Sequence, residues 1–433
     1  MLRFVGLDVH KHFIEACFID RRGKVLERCR VDCHGSELQK FGKWQLRKTD
    51  RVALEATTNT WPVVALLKPH VQQVVVANPL KTKAIAEANI KTDKVDAEVL
   101  AQLLRCGYLP EVWQPDAATQ TQRNLITHRV ALSSRRTRHK NRIQCLLSRL
   151  LLKPPCKFLW SKAGRTWLSA VQLPSAERFV LDSELRQFDQ TEQELQVLDR
   201  ELVGIATQDP RVRLLMTLPG VNYVVAVGLL AAFGDVARFG DADHAAAYLG
   251  LVPKTRQSGF KCYHGRITKA GNPQARWLLT QACQHVARNP GPMGTFYRRL
   301  AKRKPRQVAL MAMARKLATV AYHMLKHNEP YRYATPELVA KKFTQLHSQA
   351  RKVLSDRSGS PGLTQAARAG LSAVYEQAGL PPVKIPSALP AGERHMLAER
   401  ELTGYVDQLY STRPAARPRK RAQRNEPSAG RPD

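Results

Sequence analysis

The chain has 433 residues, with 69 Lys and Arg against 36 Asp and Glu, a net charge of +33. That length predicts two to four domains, and 43% apolar residues is ordinary for folded protein. The charge points to polyanions, of which phosphate backbones are the commonest, with a ribosomal-type or merely basic protein as the plain alternative. The eight cysteines lack paired short spacing, which argues against a disulfide scaffold or a zinc site. Arg3, Asp8, His10 and Lys11 break any signal-peptide core, and the apolar run at 224–233 is too short for a bilayer. A cytoplasmic, nucleoid-associated protein with no membrane partner is expected.

Residues 2–9, 13–19 and 24–31 read as strands, the last two separated by an Asp20-Arg-Arg-Gly23 turn. A helix follows at 36–47, a strand at 51–55, a helix at 61–67, a strand at 71–77 and one long helix at 81–105. The alternation predicts a mixed α/β sheet in a first domain, 1–110. Residues 119–152 form a helix with a dense basic face that includes Arg135, Arg136, Arg138 and Arg142. Phe188, Thr191, Leu195, Leu198, Leu202 and Ile205 then alternate three and four apart, as a coiled-coil seam or an intramolecular helical hairpin requires. This basic, coiled-coil region spans 111–210. A mainly helical third domain, 211–330, has a Gly-rich middle. A helical extension, 331–433, carries a Ser/Pro/Gly interruption near 355–362 and ends in an Arg/Pro-rich tail expected to be disordered.

Four carboxylates stand out. Asp8 and Glu55 end apolar strands, and a carboxylate buried there is costly unless paired or metal-bound. Asp93 and Asp96, three apart on a helix, share a face and repel each other. Such a quartet can hold two Mg²⁺ ions for phosphodiester chemistry; a solvated helix face with two turn acids gives the same spacing. The stretches Gly6-Leu-Asp-Val-His-Lys11, Glu55-Ala-Thr and Lys91-Thr-Asp-Lys-Val-Asp-Ala97 resemble those of the DEDD-class insertion-sequence transposases. That group includes the Piv-type DNA invertases and the bridge-RNA-guided recombinases. The resemblance implies a RuvC-like, ribonuclease-H-type first domain with Asp8, Glu55, Asp93 and Asp96 as metal ligands.

The stretch from Leu215 to Gly228, with its Pro219-Gly220 turn, looks like a helix-hairpin-helix turn, which suits a DNA phosphate; a simple helical turn reads the same way. Ser258-Gly259 reads as a loop among Lys254, Arg256, Lys261, His264, Arg266 and Lys269, cations that could stabilise charge developing on a phosphate. Ser-Gly in a loop is also an ordinary turn. The same family resemblance extends over Leu251-Val-Pro, Ser258-Gly, Gly265-Arg-Ile-Thr-Lys-Ala-Gly271 and Arg276-Trp-Leu-Leu. It implies that Ser258 attacks a DNA strand to form a phosphoserine link. Arg256, Lys261, Lys269 and Arg276 would then bind phosphate or orient the loop.

The expectation is thus a transposase that cuts and rejoins insertion-element and target DNA, with quartet-bound Mg²⁺ positioning the scissile phosphate and activating Ser258. The basic helix from Arg135 to Arg149 is a candidate DNA or RNA contact. The resemblance further implies a structured guide RNA and a homo-oligomer, a dimer or tetramer, with shared active sites. Two rivals remain: a metal-dependent junction endonuclease in which Ser258 is structural, and a non-enzymatic nucleic-acid-binding protein.

Overall fold

The computed structural model describes residues 2–85, 92–354 and 362–412. The chain divides into two compact units, Met1–Asp116 and Ala117–Asp433.

In the first unit the strands fall where the sequence predicts them. β1 (Phe4–Val9), β2 (Phe13–Ile19) and β3 (Val25–Asp32) make an antiparallel meander. α1 (Gly35–Trp44) leads to β4 (Arg51–Glu55), and α2 (Thr60–Leu67) leads to β5 (Gln73–Ala77). β4 lies parallel to β1 and β5 parallel to β4, so the sheet order is β3-β2-β1-β4-β5. Alternation along the strands sorts side chains between two layers. Val5, Leu7, Ile14 and Phe18 meet Leu38 and Phe41 of α1 and Val64 of α2 on one face. Phe4, Cys17 and Ile19 meet Ala97 and Ala101 of a later helix on the other.

That later helix is where the structure departs from the sequence reading. The single helix expected over 81–105 is two segments, α3 (Pro79–Ile85) and α4 (Asp93–Cys106), and residues 86–91 lie outside those described. Thr92 is extended, at φ −138 and ψ 154, and its side chain accepts from the Val95 N–H. A threonine in that role starts a helix rather than continuing one. α4 then lies so close to β1 that a Cβ on Gly6 would stand 1.9 Å from the Ala97 carbonyl oxygen and 2.6 Å from the Ala101 nitrogen.

At the far end of the sheet, Arg3 donates to both carboxylate oxygens of buried Asp50, at 3.0 and 2.6 Å, and to the Gln45 carbonyl at 2.8 Å. Since Arg3 precedes β1 and Asp50 precedes β4, this bidentate pair ties the starts of two adjacent parallel strands.

The second unit begins with α5 (Ala117–Arg149), α6 (Lys162–Ala170) and α7 (Ser175–Gln208). The heptad positions Phe188, Thr191, Leu195, Leu198 and Leu202 are buried, and Ile205 is half-buried. Leu132 of α5 packs on Leu195 and Leu198, while Ile143, Leu146 and Leu147 pack with Leu181. Of the two arrangements the pattern allows, the structure forms the intramolecular one.

α8 (Pro210–Met216), α9 (Tyr223–Phe233) and α10 (Ala242–Tyr248) follow; α9 is buried from Val224 through Phe233 and centres the helical core. The Gly-rich middle, expected as a loop, is a hairpin of β6 (Pro253–Ser258) and β7 (Lys261–Ile267). Its residues are nearly all exposed, so no apolar alternation advertised it. α11 (Pro273–Val286), α12 (Pro292–Ala301) and α13 (Arg306–His327) come next. α14 (Pro336–Leu354), α15 (Leu363–Ala369), α16 (Leu371–Gln377), α17 (Ala391–Glu399) and α18 (Thr403–Tyr410) pack onto the same core, Phe343, Tyr375 and Leu409 joining Val212 and Leu215. The interruption at 355–361 and the Arg/Pro-rich tail from 413 onward lie outside the described residues. Among the described residues no helix is long and apolar enough to cross a membrane.

Because the Gly6 site leaves no room for a methyl group, Gly6→Ala should push α4 off β1 and cost about 3 kcal/mol of stability. Urea denaturation checks this; a change within error of zero would mean that the β1–α4 contact yields easily.

Candidate active site

The seat on Gly6 fixes the chemistry above it. Asp8 is two residues further along β1 and so points to the α4 side. On α4, Asp93 lies one turn before Ala97, which brings it level with Asp8. His10 Nε2 lies 3.0 Å from Asp8 Oδ2 and 3.4 Å from Asp93 Oδ2. Ligand atoms of Asp8, His10 and Asp93 all fall within 4.8 Å of one another, the one such cluster among the described residues. Asp96, in the same first turn of α4, acts on Asp8 electrostatically. Glu55 follows Leu54, which pairs with Leu7 in the parallel register, so Asp8 and Glu55 end adjacent strands at the same level. Ala53, two residues before Glu55, packs with Leu100 of α4, and alternation places Glu55 on that face too. Neither Glu55 nor Asp96 joins the tight cluster.

Burial pushes the Asp8 carboxyl above its ordinary range; His10 lowers it by charge and hydrogen bond, and Asp96 and Asp93 raise it again. A half-buried carboxylate facing like charges favours a cation beside it. The donors are mostly hard carboxylate oxygens, the set that suits Mg²⁺ or Mn²⁺, with one imidazole that Mn²⁺ tolerates better. The residues present therefore fit a divalent ion.

Two neighbours escaped the sequence reading. His10 carried a usable signal, since an Asp-x-His spacing at a strand end puts both side chains on one side. Glu15 carried none: it lies opposite Asp8 in the antiparallel register, buried, and its charge is met by Arg30 on β3 at 2.5 Å.

In the second unit, Ser258 is the exposed last residue of β6 and pairs with Lys261 across the turn. Gly259 takes φ +56 at the first central position, where a two-residue type II′ turn calls for glycine. Phe260, the other central residue, is fully exposed. Arg256 pairs with Tyr263 in the register, and both are exposed. Lys269 is exposed and takes φ +55. Arg276 is used differently: it donates to the Leu249 and Gly271 carbonyls at 3.0 and 3.2 Å, bracing the loop that follows the hairpin. On α5, Arg135 and Arg138 are exposed, whereas Arg136 pairs with Glu192 at 3.0 Å and Arg142 with Glu184 at 2.8 Å.

Comparison with known proteins bears on both units. A transposase family model of the DEDD, IS110 type matches residues 5–151, and one described as "Transposase IS116/IS110/IS902 family" matches residues 212–298. The chain belongs to the IS110/IS116 transposase family. A pilin gene-inverting protein of Moraxella bovis is 26% identical over 341 residues, covering 76% of this chain and 97% of its own length. The transposase for insertion sequence element IS1111A of Coxiella burnetii is 25% identical over 340 residues, covering 76% of this chain and 92% of its own. Membership implies an enzyme that cleaves and rejoins DNA, and the DEDD match implies dependence on a divalent metal. The first match spans the four carboxylates of this transposase and the second spans Ser258; residues 299–433 lie outside both.

The raised Asp8 carboxyl gives a signed expectation. Its protonated form is favoured by folding, so its contribution to stability is present at low pH and lost as pH rises through that raised range. In chelator at neutral pH, Asp8→Asn should therefore melt no lower than the wild type. Mg²⁺ at ~100 times its Kd should stabilise the wild type by about 2.7 kcal/mol and the variant hardly at all. Equal stabilisation of both proteins in a melting assay would place the ion elsewhere.

Proposed function

We propose that the chain cuts and rejoins insertion-element DNA through an acidic metal site in the first unit and the Ser258 hydroxyl in the second. The observation that carries this reading is the level alignment of Asp8 and Glu55 at adjacent strand ends, with Asp93 and Asp96 in the first turn of the helix on the same face. The strand order β3-β2-β1-β4-β5, with only β2 reversed in the sheet, supports a ribonuclease-H-type domain of the RuvC kind.

Asp8, Glu55, Asp93 and Asp96 are the residues that would hold divalent ions, Mg²⁺ by their oxygen chemistry. Such ions, when bound, supply charge stabilisation at a phosphate. His10 Nε2 hydrogen-bonds to Asp8 and lies 3.4 Å from Asp93, so it links the two. Ser258, on an exposed turn between paired strands, is held by backbone bonds rather than by a mobile loop. Its oxygen forms the bond to phosphorus as its proton is lost; the bond to the displaced sugar oxygen breaks, and that oxygen leaves as a hydroxyl. The phosphoserine ester keeps the phosphodiester bond energy, so the reverse attack reseals DNA without a nucleotide cofactor. Lys254, Arg256, Lys261 and Arg266 give the hairpin a cationic surface with no carboxylate between 253 and 269, suited to a backbone phosphate. On family grounds an element-encoded RNA selects donor and target, and the transposase acts as a homo-oligomer.

The test is trapping. Protein, Mg²⁺, the RNA flanking the element and joined element ends are incubated and resolved on a denaturing gel. A protein–DNA adduct is expected that disappears in both Ser258→Ala and Asp93→Asn. Cleavage without adduct, undiminished in Ser258→Ala, would leave a metal-dependent nuclease in its place. Omitting the RNA should abolish adduct formation if the RNA selects the DNA.

A further inference from the structure

The turn between α8 and α9 opens on a cavity of about 420 Å³ that the reaction above does not use. Its walls come from three places: the Pro219-Gly220 turn, residues 285–290 at and after the end of α11, and residues 334–345 leading into and along α14. The turn is held rigidly. Gly220 takes φ +75, and a Cβ there would stand 2.3 Å from the Ala282 carbonyl oxygen. From the opposite wall, Lys342 Nζ donates to the Met216 and Leu218 carbonyls, each at 2.6 Å. Two of the three ammonium hydrogens are thereby used on neutral oxygens, and the positive charge itself meets no carboxylate in the lining.

The remaining lining repeats that imbalance. Arg288 and Lys341 are exposed at the cavity's edge, His285 stands beside them, and among the described residues none of the lining is acidic. Glu337, one turn before Lys341 on α14, is not part of the wall. Burial pulls the Lys342 ammonium down to about 7, the response of a cation enclosed without an anion. A cavity of this size with Arg288 and Lys341 at its edge, Lys342 behind them and polar Asn222 and Gln345 at its rim suits an anion larger than a lone water, and a sugar-phosphate fits that description.

We propose that this cavity seats a backbone phosphate of the nucleic acid on which the transposase acts, gripped by Arg288 and Lys341 and backed by Lys342. The inference rests on the reading that the chain handles nucleic acid, and it extends the contact surface to α14, outside both family matches. Lys342 has a second part in it, because its two bonds hold the Pro-Gly turn against the same opening. DNA and RNA offer the same phosphodiester, so the test uses both.

Fluorescence anisotropy of the full-length protein is measured against a labelled duplex DNA of mixed sequence and a single-stranded RNA of equal length, over a salt series. The variant is Arg288→Ala/Lys341→Ala, both surface positions, with its fold checked by circular dichroism. Losing two phosphate contacts should make the log–log salt slope on duplex shallower by about 1.8 and weaken binding about 30-fold near 0.15 M salt. A loss on duplex alone assigns the seat to DNA, and a loss on RNA alone assigns it to RNA. Lys40→Ala/Lys43→Ala on α1 removes the same charge elsewhere. Wild-type slopes on both probes, or an equal loss in that control, would overturn the seat while leaving the DNA-handling reading standing. Failure of the wild-type protein to bind either probe would instead overturn that reading, and the seat with it.

Discussion

Where Gly6 passes beneath Ala97 and Ala101, backbone meets backbone with no side chain between, and the acidic site is a consequence of that contact. A helix seated so closely on a strand cannot slide, because any shift drives an alanine into a residue with a Cβ. Asp8 stands two residues after the glycine and Asp93 one turn before Ala97, so the two are raised to the same height from one fixed point. The Arg3–Asp50 pair does the corresponding work for Glu55. It joins the residues just before β1 and β4, and Asp8 and Glu55 each lie five residues further on. In a parallel pair that equal count is what keeps two carboxylates level.

This geometry assembles like charges in a chain that is otherwise strongly basic, and the surroundings show how the strain is limited. Glu15, the residue directly across from Asp8, would add another negative charge to that face, but Arg30 answers it from β3. Asp93 and Asp96 lie in the first turn of α4, where the helix dipole favours negative charge. His10 reaches both Asp8 and Asp93. At Asp8 burial still outweighs what His10 supplies, and the carboxyl stays above its ordinary range. A site suited to a cation is costly without one, and at Asp8 that cost shows as the raised carboxyl.

Much of this was legible in the sequence because it is periodic. Strand alternation placed Asp8 and Glu55 at strand ends, the three-residue spacing placed Asp93 and Asp96 on one helical face, and the heptads of α7 announced a buried seam. What the sequence hid depends on contacts between distant segments. The start of α4 at Thr92 is a single capping bond inside a stretch rich in Ala, Glu, Leu and Lys, so composition ran straight through it. The hairpin bearing Ser258 is nearly all exposed, and without an apolar face a strand pair resembles a loop. Glu15 looks like any strand residue until the register sets it opposite Asp8. The choice between a coiled coil within one chain and one between chains is likewise a matter of which helix covers the seam, and α5 supplies that cover.

A net charge of +33 says little about where a nucleic acid lies, because many of the cations are already engaged. On α5 the basic face is divided: Arg129, Arg136 and Arg142 pair with Asp199, Glu192 and Glu184 of α7, the last also meeting buried His139 at 2.6 Å. An arginine already matched by a carboxylate has less to gain from a phosphate, since a new ion pair would have to replace an existing one. Arg135 and Arg138, on the exposed side of the same helix, are under no such constraint from α7. The informative quantity is therefore the local absence of acid. By that measure the hairpin from 253 to 269 and the cavity beneath the Pro219-Gly220 turn are set apart from the helical pair, although α5 is richer in arginine than either. Both are also held by backbone geometry, a paired turn in one case and a lysine-pinned turn in the other. A phosphate meeting either place would displace no existing carboxylate partner, which is the condition the paired arginines of α5 fail.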